Sequence, residues 1–454
     1  MAKFKVGAGI ADLDYPIEKY PAMSFSHICE DKYDSCNCRA LAIEADEKKV
    51  LLLAFELSDI PEVPELEKKI SEATGVSEED IIITVTHNHT SPCDRGARMG
   101  GTDETRAKFR EEFIEIELAA AINASKDAVN SLQSAKYGYG EINSYIAANE
   151  ITRDPQIGLY CDENGNGYVD NTLSIVEFTD LEGKPICFLM NHPCHATSAM
   201  GLDANGKYAT SGNFTGITCR FLEEYFGNDV VALWTAGASG NLHPILEARV
   251  NYHYTDGYAS SFSLPDGAGH MLMEAIGRQH AIDAINCINL IDEFTDEMTL
   301  LHGKGTLPIE NRKNLSSPGD RPPMHPDYGF GLKSNQAEPA PEYVAPEIAD
   351  NPDHTGTLQM EILSFGDVAF VGLGCELFCQ IGRDIKNALP AKHTVVITHT
   401  PGYVGATPHQ VGYIVDRSSV PGSHNVKLYR NLKPGFYDEM IVNKALEIYG
   451  DLFS

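Results

Sequence analysis

The chain has 454 residues, of which 65 are Asp or Glu and 35 are Lys or Arg, so its formal net charge is −30 at pH 7. This charge repels phosphate backbones and anionic lipid headgroups, which excludes nucleic acids and membrane surfaces as expected partners. Hydrophobic residues make up 43% of the chain and charged residues 22%. This is ordinary globular usage, and it excludes general disorder.

The N-terminus shows no targeting signal. Met1-Ala2-Lys3-Phe4-Lys5-Val6 passes directly into strand-like alternation, without the charged, apolar and small-residue regions of a signal peptide. No apolar run approaches the roughly 20 residues that span a bilayer. The 11 cysteines are scattered, which is typical of reduced, buried thiols rather than of a disulfide framework. We therefore expect a cytoplasmic protein without membrane insertion.

Apolar periodicity predicts helices and strands in mixed order. Helical spacing predicts helices over residues 63–74, 106–132, 214–226 and 271–290. Short apolar runs bounded by turn residues predict strands over residues 50–55, 81–86, 172–179, 186–190, 230–234, 358–363, 368–373 and 394–398. This interleaving predicts a layered α/β fold with a mixed sheet.

Residues from about 302 to 354 are rich in Pro, Gly, Asn and Asp, which predicts a long loop. The strands predicted before and after this stretch have the same character. We therefore interpret the stretch as an excursion from one domain that covers residues 1–454, rather than as a domain boundary.

Polar residues of the ligand type follow the ends of five predicted strands. The segments that follow are His87–Pro92, Asn191–Ser198, Ala236–Pro244, Gly374–Glu376 and His399–Tyr403. Because α/β proteins place ligands in the crevice at the carboxyl ends of their strands, we expect these segments to share one site.

Single motifs in these segments leave alternatives open. His87-Asn88-His89 places two imidazoles on one side of an extended segment, as a metal site requires, but a turn cap and a packed imidazole give the same pattern. His192 and Cys194 are rival ligands to His195. The segment Gly237–Asn241 is similar to the nucleophile elbow of serine hydrolases, except that Asn241 stands where the second Gly belongs.

The order of five motifs between about residues 6 and 413 is more specific than any one of them. They are Val6–Leu13, Thr86-His87-Asn88-His89-Thr90-Ser91-Pro92, His195-Ala196-Thr197-Ser198, Gly374–Phe378 and Gly402-Tyr403-Val404. In this order they resemble the D-I-T-P strand and the T-H-T-H-S-G-P, H-G-T-S, P-G-E-F and G-Y-V-T-T segments of neutral, non-lysosomal ceramidases. The resemblance covers nearly the whole chain.

The resemblance implies one zinc ion held by His87, His195, Glu376 and Tyr403, with His89 beside the reacting carbonyl. Zn²⁺ in such a site polarises a carbonyl and lowers the pKa of water from about 15.7 toward about 7. Tyr403 would also donate to the developing oxyanion. Another divalent metal, such as iron or manganese, suits the same ligands. For substrate binding, the resemblance points to Asn149, Asn241 and Tyr413.

The chain departs from the family in three places. His243, in Gly240-Asn241-Leu242-His243-Pro244, stands where ceramidases carry the serine proposed as catalytic. Asn149-Glu150 replaces the family's N-R pair, so we assign the arginine role to Arg153, the nearest basic residue. The additional C-terminal immunoglobulin-like domain of ceramidases has no counterpart before residue 454. Since the sequence also shows no signal peptide and no membrane-facing segment, we expect a soluble substrate rather than a lipid.

Together, these features predict a zinc-dependent hydrolase that cleaves an amide or related carbonyl bond of a soluble small molecule. The nucleophile is expected to be a metal-activated water, with His89 and His243 as acid/base groups. Two alternatives remain: a catalytically inactive protein that binds a ligand or acts as a scaffold, and a metal-dependent lyase or isomerase. The sequence predicts no oligomeric state.

Overall fold

The computed structural model of the chain describes residues 2–13, 15–17, 22–23, 28–93, 103–149, 151–154, 158–161, 167–199, 202–246, 249–253, 259–263, 265–310, 354–404, 407–408, 411–417 and 435–454. These residues form four layers, with two β-sheets packed face to face and helices on the outer face of each sheet.

The larger sheet has nine strands, eight of which form a continuous path. In chain order these eight are β1 (Ala2–Asp12), β2 (Asn37–Ala45), β3 (Lys48–Phe55), β4 (Ile81–Val85), β5 (Gln133–Asn143), β6 (Thr172–Asp180), β7 (Pro185–His192) and β8 (Val231–Ala236). Their spatial order is β8-β7-β6-β5-β1-β2-β3-β4, and the short strand Glu297–Met298 pairs with β1. The two outermost pairs, β3·β4 and β7·β8, are parallel.

The second sheet has six strands. Its long members are β9 (Leu300–Glu310), β10 (His354–Phe365), β11 (Val368–Leu373) and β12 (His393–Ile397). The order is β12-β11-β10, followed by Tyr403–Val404 and Thr407–Pro408, with β9 beside β10. Six short strand pairs surround the sheets: Ala22–Met23 with Ile28–Cys29, Asp31–Lys32 with Ala209–Thr210, Ala147–Asn149 with Leu242–Pro244, Ile151–Asp154 with Gly158–Cys161, Arg249–His253 with Ala259–Ser263, and Glu376–Leu377 with Tyr413–Ile414.

Helices cover the outer faces of both sheets and connect the parallel strands. They are α1 (Leu66–Thr74), α2 (Asp103–Asn130), α3 (Asn213–Phe226), α4 (Ala268–Ile288), α5 (Cys379–Ala388) and α6 (Asp438–Leu452), with a 3₁₀ turn over Glu78–Asp80. Helices α1, α3 and α5 join β3 to β4, β7 to β8 and β11 to β12. A parallel pair requires such a crossover, because its strands run in the same direction.

The core between the sheets consists of apolar side chains that alternate along the strands. Phe4 and Phe178 from the larger sheet pack with Phe365 and Phe370 from the second, and the ring centroids of Phe178 and Phe365 lie 5.9 Å apart. The opposite faces of the same strands pack against the helices. This arrangement confirms the predicted layered α/β fold with mixed sheets.

One sequence prediction is wrong in its bounds. Residues 302–310, which we expected to begin the long loop, belong to strand β9. Gly303 and Gly305 suggested a loop, but in the strand they let α6 approach, because a Cβ at either position would lie within 3.0 Å of a side-chain carbon of Leu452 or Ile448. Residues 311–353, the rest of the predicted loop, lie outside the described residues.

Two further expectations concern cysteines and membranes. The ten cysteines whose side chains the structure describes are all buried, as expected for reduced thiols. Among the described helices, none has the combination of length and hydropathy that crossing a bilayer requires.

Candidate metal centre

Three chain segments meet where the carboxyl ends of the strands of both sheets converge. His87 follows β4 and His195 follows β7, both in the larger sheet, whereas Glu376 follows β11 of the second sheet. Nε2 of His87 and Nε2 of His195 each lie 3.3 Å from Oε2 of Glu376. The three residues are 3%, 2% and 6% exposed. The structure therefore brings together three of the four predicted metal ligands.

The second ring nitrogens of the two histidines contact main-chain carbonyl groups. Nδ1 of His87 lies 2.7 Å from the carbonyl oxygen of Ser58, and Nδ1 of His195 lies 2.7 Å from that of Ser239. Because a carbonyl oxygen only accepts, each Nδ1 carries the proton and donates it. Each ring therefore presents its Nε2 toward Glu376, which is how metal-binding histidines are oriented.

This arrangement requires a positive charge at its centre. Two imidazole lone pairs and a carboxylate oxygen repel one another unless a proton or a metal ion lies between them. Burial raises the pKa of Glu376, but His87 and His195 outweigh burial and hold the pKa well below its usual value. Burial lowers the pKa of His87, but Glu376 raises it above its usual value.

The distances between these donor atoms fit zinc. With bonds of about 2.0–2.1 Å to each ligand, two donors of a tetrahedral Zn²⁺ lie about 3.3 Å apart. The two measured distances to Glu376 Oε2 are both 3.3 Å. Two histidines and a carboxylate, with a further position left for substrate or water, also form the ligand set of a catalytic rather than a structural zinc site.

Two further polar side chains lie beside this three-ligand core. Nε2 of His89 lies 3.2 Å from Nε2 of His87, so His87, His89 and His195 form a cluster able to hold a metal ion. The hydroxyl of Tyr413 lies 3.3 Å from Nε2 of His195. Burial, together with the nearby His87 and His195, lowers the pKa of His89 well below its usual value, which keeps its ring neutral.

Main-chain hydrogen bonds fix the turn that carries His87 and His89. The amide of Asn88 donates to the carbonyl of Leu57, and the amide of His89 donates to that of Ala196, beside His195. Asn88 and Ala196 form an isolated parallel bridge. The two histidine-bearing turns are therefore tied directly to each other.

Other predicted site residues lie nearby in different environments. The ring of His243 is stacked beside that of His195, with centroids 5.7 Å apart. The side chain of Asn241 accepts from the amide of Cys379 at 2.9 Å, and that of Asn149 donates to the carbonyl of Tyr168 at 2.9 Å. These contacts hold local backbone, and the substrate-binding roles of Asn241 and Asn149 stay predictions.

Two predicted residues are described only by their backbones. Arg153 lies in the strand Ile151–Asp154, and Tyr403 lies in the strand Tyr403–Val404, which pairs with β10. Their side chains lie outside the described part of the chain, so a metal ligand at Tyr403 and a substrate contact at Arg153 stay predictions.

The alternative motifs contribute no side chain to the three-ligand core. His192, a rival ligand by sequence, contacts the carbonyl of Thr172 at 3.1 Å, and burial lowers its pKa to about 4. Cys194 is buried, with Sγ 3.6 Å from the carbonyl oxygen of His195. Ser239 of the elbow-like segment is only 1% exposed and orients His195 through its carbonyl.

One histidine at the site received no role from the sequence. His399 follows β12 and is completely buried, and its ring is stacked on that of His87 with centroids 4.1 Å apart. The sequence did carry one signal for His399: it follows a predicted strand, as the other site residues do.

Comparisons with known proteins show which fold the chain shares. No family model and no curated protein matches the chain. Solved structures do match, among them a ceramidase complexed with C2, with a TM-score of 0.69 and 15% identity, and the neutral ceramidase from Pseudomonas aeruginosa, with a TM-score of 0.68 and 16% identity. Each match covers the whole of this chain and 76% or 75% of the other. The chain therefore has a ceramidase-like fold.

Proposed function

We propose that the chain is a metal-dependent hydrolase, with Zn²⁺ as the metal, that cleaves the amide bond of a small molecule. The observation that carries this proposal is the convergence of His87, His195 and Glu376 at 3.3 Å, with both Nδ1 atoms committed to carbonyl groups. When bound, Zn²⁺ supplies Lewis acidity that polarises a carbonyl and makes water nucleophilic near neutral pH.

His89 and Tyr413 have the positions that carbonyl chemistry needs. They lie beside the three-ligand core, next to His87 and His195 respectively. The phenol of Tyr413 donates a hydrogen bond to the oxygen on which negative charge develops. The neutral ring of His89, with Nε2 3.2 Å from Nε2 of His87, lies close enough to the metal centre to pass a proton to the leaving nitrogen.

His243 is a second candidate for proton transfer. Its ring is partly exposed and lies beside that of His195. By the sequence resemblance, this position is a serine in ceramidases, so proton transfer here uses an imidazole in place of a hydroxyl. In this proposal Tyr403 is a fourth ligand beside the position that substrate or water takes, and Arg153 contacts the substrate carbonyl.

The proposed bond and substrate follow from the comparison and from charge. Ceramidases, by their name, act on ceramide, which is an N-acyl amide, and this supports an amide as the bond that is cleaved. The formal net charge of −30 disfavours access to anionic membranes. We therefore propose a soluble N-acyl compound as the substrate.

Metal analysis combined with an activity panel tests this proposal. Purified protein, prepared without chelator, is analysed for bound metal and assayed against N-acetyl amino acids, N-acyl amino sugars and a short-chain N-acyl sphingoid base. The site variant is His195→Ala. The matched control is His393→Gln, which removes a histidine at the start of β12, the strand end opposite His399.

We expect about one zinc per chain for the wild type and for the control, and less than about 0.2 for His195→Ala. Hydrolysis of an N-acyl substrate should be lost with the metal. A wild type with less than about 0.2 equivalents of metal would overturn the proposal. A zinc-loaded wild type that turns over none of the amides would instead support the inactive-scaffold or lyase alternatives.

A further inference from the structure

We infer that His399 is a positioning residue that fixes the plane of the His87 ring and thereby raises the affinity of the site for its metal; this rests on the proposed function. The two rings are nearly parallel, at 11°, with centroids 4.1 Å apart. His399 is completely buried, so no solvent separates the rings.

The backbone of His399 holds the turns that carry two ligands. Its amide donates to the carbonyl of Cys375, the residue before Glu376, and its carbonyl accepts from the amide of Val85, both at 3.3 Å. His399 therefore ties the turn of His87, from the larger sheet, to the turn of Glu376, from the second sheet.

The residue before it reaches the third turn. The amide of Thr398 donates to the carbonyl of Ala236 at 2.8 Å, and its hydroxyl donates to that of Gly237 at 2.7 Å. Those residues precede Ser239, whose carbonyl orients His195. Residues 398 and 399 thus contact all three segments that build the metal centre.

Backbone conformation marks the same pair of residues. Within the described part of the chain, five non-glycine residues have positive φ: Asp46, Glu65, His87, Asn213 and His399. The stacked rings therefore belong to two of these five residues, with φ of 55° and 58°. Such conformations cost free energy and cluster where surrounding contacts and function require them.

Stacking on His399 restricts a rotation of the His87 ring that the hydrogen bond to Ser58 does not prevent. That bond fixes the direction of Nδ1 in His87, but the ring can still rotate about the axis of the bond. A ligand lone pair has to point at the metal within about 10–20°, so a flat neighbour that restricts rotation raises affinity. An aromatic face also stabilises the partial positive charge that a ring gains on metal binding.

Two substitutions distinguish the effect of the His399 ring from the effect of its backbone conformation. His399→Asn removes the ring but tolerates positive φ, whereas His399→Phe keeps a flat ring but suits positive φ less well. Zn²⁺ affinity is measured by competition with a chromophoric chelator, and the visible spectrum of the Co²⁺-loaded protein reports the geometry of the site. His393→Gln is the control.

We expect His399→Asn to weaken Zn²⁺ binding by about 10–100-fold and to alter the Co²⁺ spectrum, as loss of an outer contact to a ligand does. His399→Phe should stay within about threefold of the wild type, with an unchanged spectrum. A purely structural role predicts the reverse order, since Phe strains the backbone more. If His399→Asn fails to fold, the Zn²⁺ affinity of His399→Phe distinguishes the positioning role from the purely structural one.

The inference is overturned if a folded His399→Phe binds Zn²⁺ more than about tenfold more weakly than the wild type, or if His399→Asn binds as tightly as the wild type. A wild type that binds no Zn²⁺ overturns the proposed function and this inference together. Normal wild-type binding with an unaffected His399→Asn variant overturns this inference alone.

Discussion

His302 is buried between two carboxylates, one in the 3₁₀ turn before β4 and one in the second sheet, and its replacement should destabilise the protein in a pH-dependent manner. Its Nδ1 lies 3.2 Å from Asp80, next to β4, and its Nε2 lies 3.3 Å from Glu361 on β10. The His302 side chain is 1% exposed. Lys48 lies 2.7 Å from Asp80, and Lys304 lies 3.8 Å from Glu361. We consider the substitution His302→Gln.

The sign of the effect follows from the pKa of His302. Burial lowers this pKa, but hydrogen bonds to Asp80 and Glu361 raise it above its usual value. The charged ring therefore stabilises the fold fully below the unfolded pKa of about 6.5, and this contribution is lost as pH rises through the folded pKa. Asp80 stays charged throughout, because His302 and Lys48 outweigh its burial and lower its pKa.

The magnitude follows from two hydrogen bonds to charged groups. Each is worth about 1.5–3 kcal/mol, and glutamine retains one donor. Lys48 and Lys304 still neutralise the carboxylates, so the full penalty for unpaired buried charge does not apply. We expect His302→Gln to cost about 2 kcal/mol at about pH 6 and less than about 1 kcal/mol at about pH 9. For a chain of 454 residues, 2 kcal/mol corresponds to about 2 °C in Tm.

Differential scanning calorimetry of wild type and variant at both pH values measures this effect. The metal centre is common to both proteins, so its own pH dependence cancels in the difference. His393→Gln serves as the control: burial lowers the pKa of His393, so its loss should not destabilise the protein on the acid side. An equal loss of Tm at both pH values, or a larger loss at the higher one, would refute the reasoning.

Two further substitutions test the site and the core. Tyr413→Phe removes the hydroxyl 3.3 Å from His195; steady-state kinetics should show kcat lower by about 10²-fold with zinc content unchanged, and an unaltered kcat would contradict the role of the phenol. Arg39→Met removes a 1%-exposed cation paired with Glu56 and Glu223. It should cost about 3–5 kcal/mol in denaturant unfolding, since both carboxylates lose their nearest cation and Arg220, 3.9 Å from Glu56, replaces it only in part. A cost below about 1 kcal/mol would contradict this.

The strands that position the metal ligands could be predicted from the sequence, because their ends carry a strong local signal. The apolar runs before His87, His195 and Glu376 are β4, β7 and β11 in the structure, with bounds shifted by at most two residues. All eight predicted strands and all four predicted helices exist. Burial on both faces makes such strands nearly continuous apolar runs, which are readable without a partner sequence.

Other features depend on contacts between distant segments. Strand β9 carries glycines that read as a loop, and only the approach of α6 explains them. The carbonyl groups that orient His87 and His195 belong to Ser58 and Ser239, and backbone atoms leave no residue-specific signal. His399 stood in a predicted turn, but its stacking on His87 depends on the packing of the second sheet against the larger one, and this cannot be read from spacing along the chain.

The central claim is that His87, His195 and Glu376 bind one metal ion together. A crystal structure of the protein prepared without chelator, with anomalous data collected on both sides of the zinc edge, measures this directly. We predict one anomalous peak about 2.0–2.2 Å from Nε2 of His87, Nε2 of His195 and a carboxylate oxygen of Glu376. No peak at this position in zinc-supplemented crystals, or a peak bound to other residues, would contradict the claim.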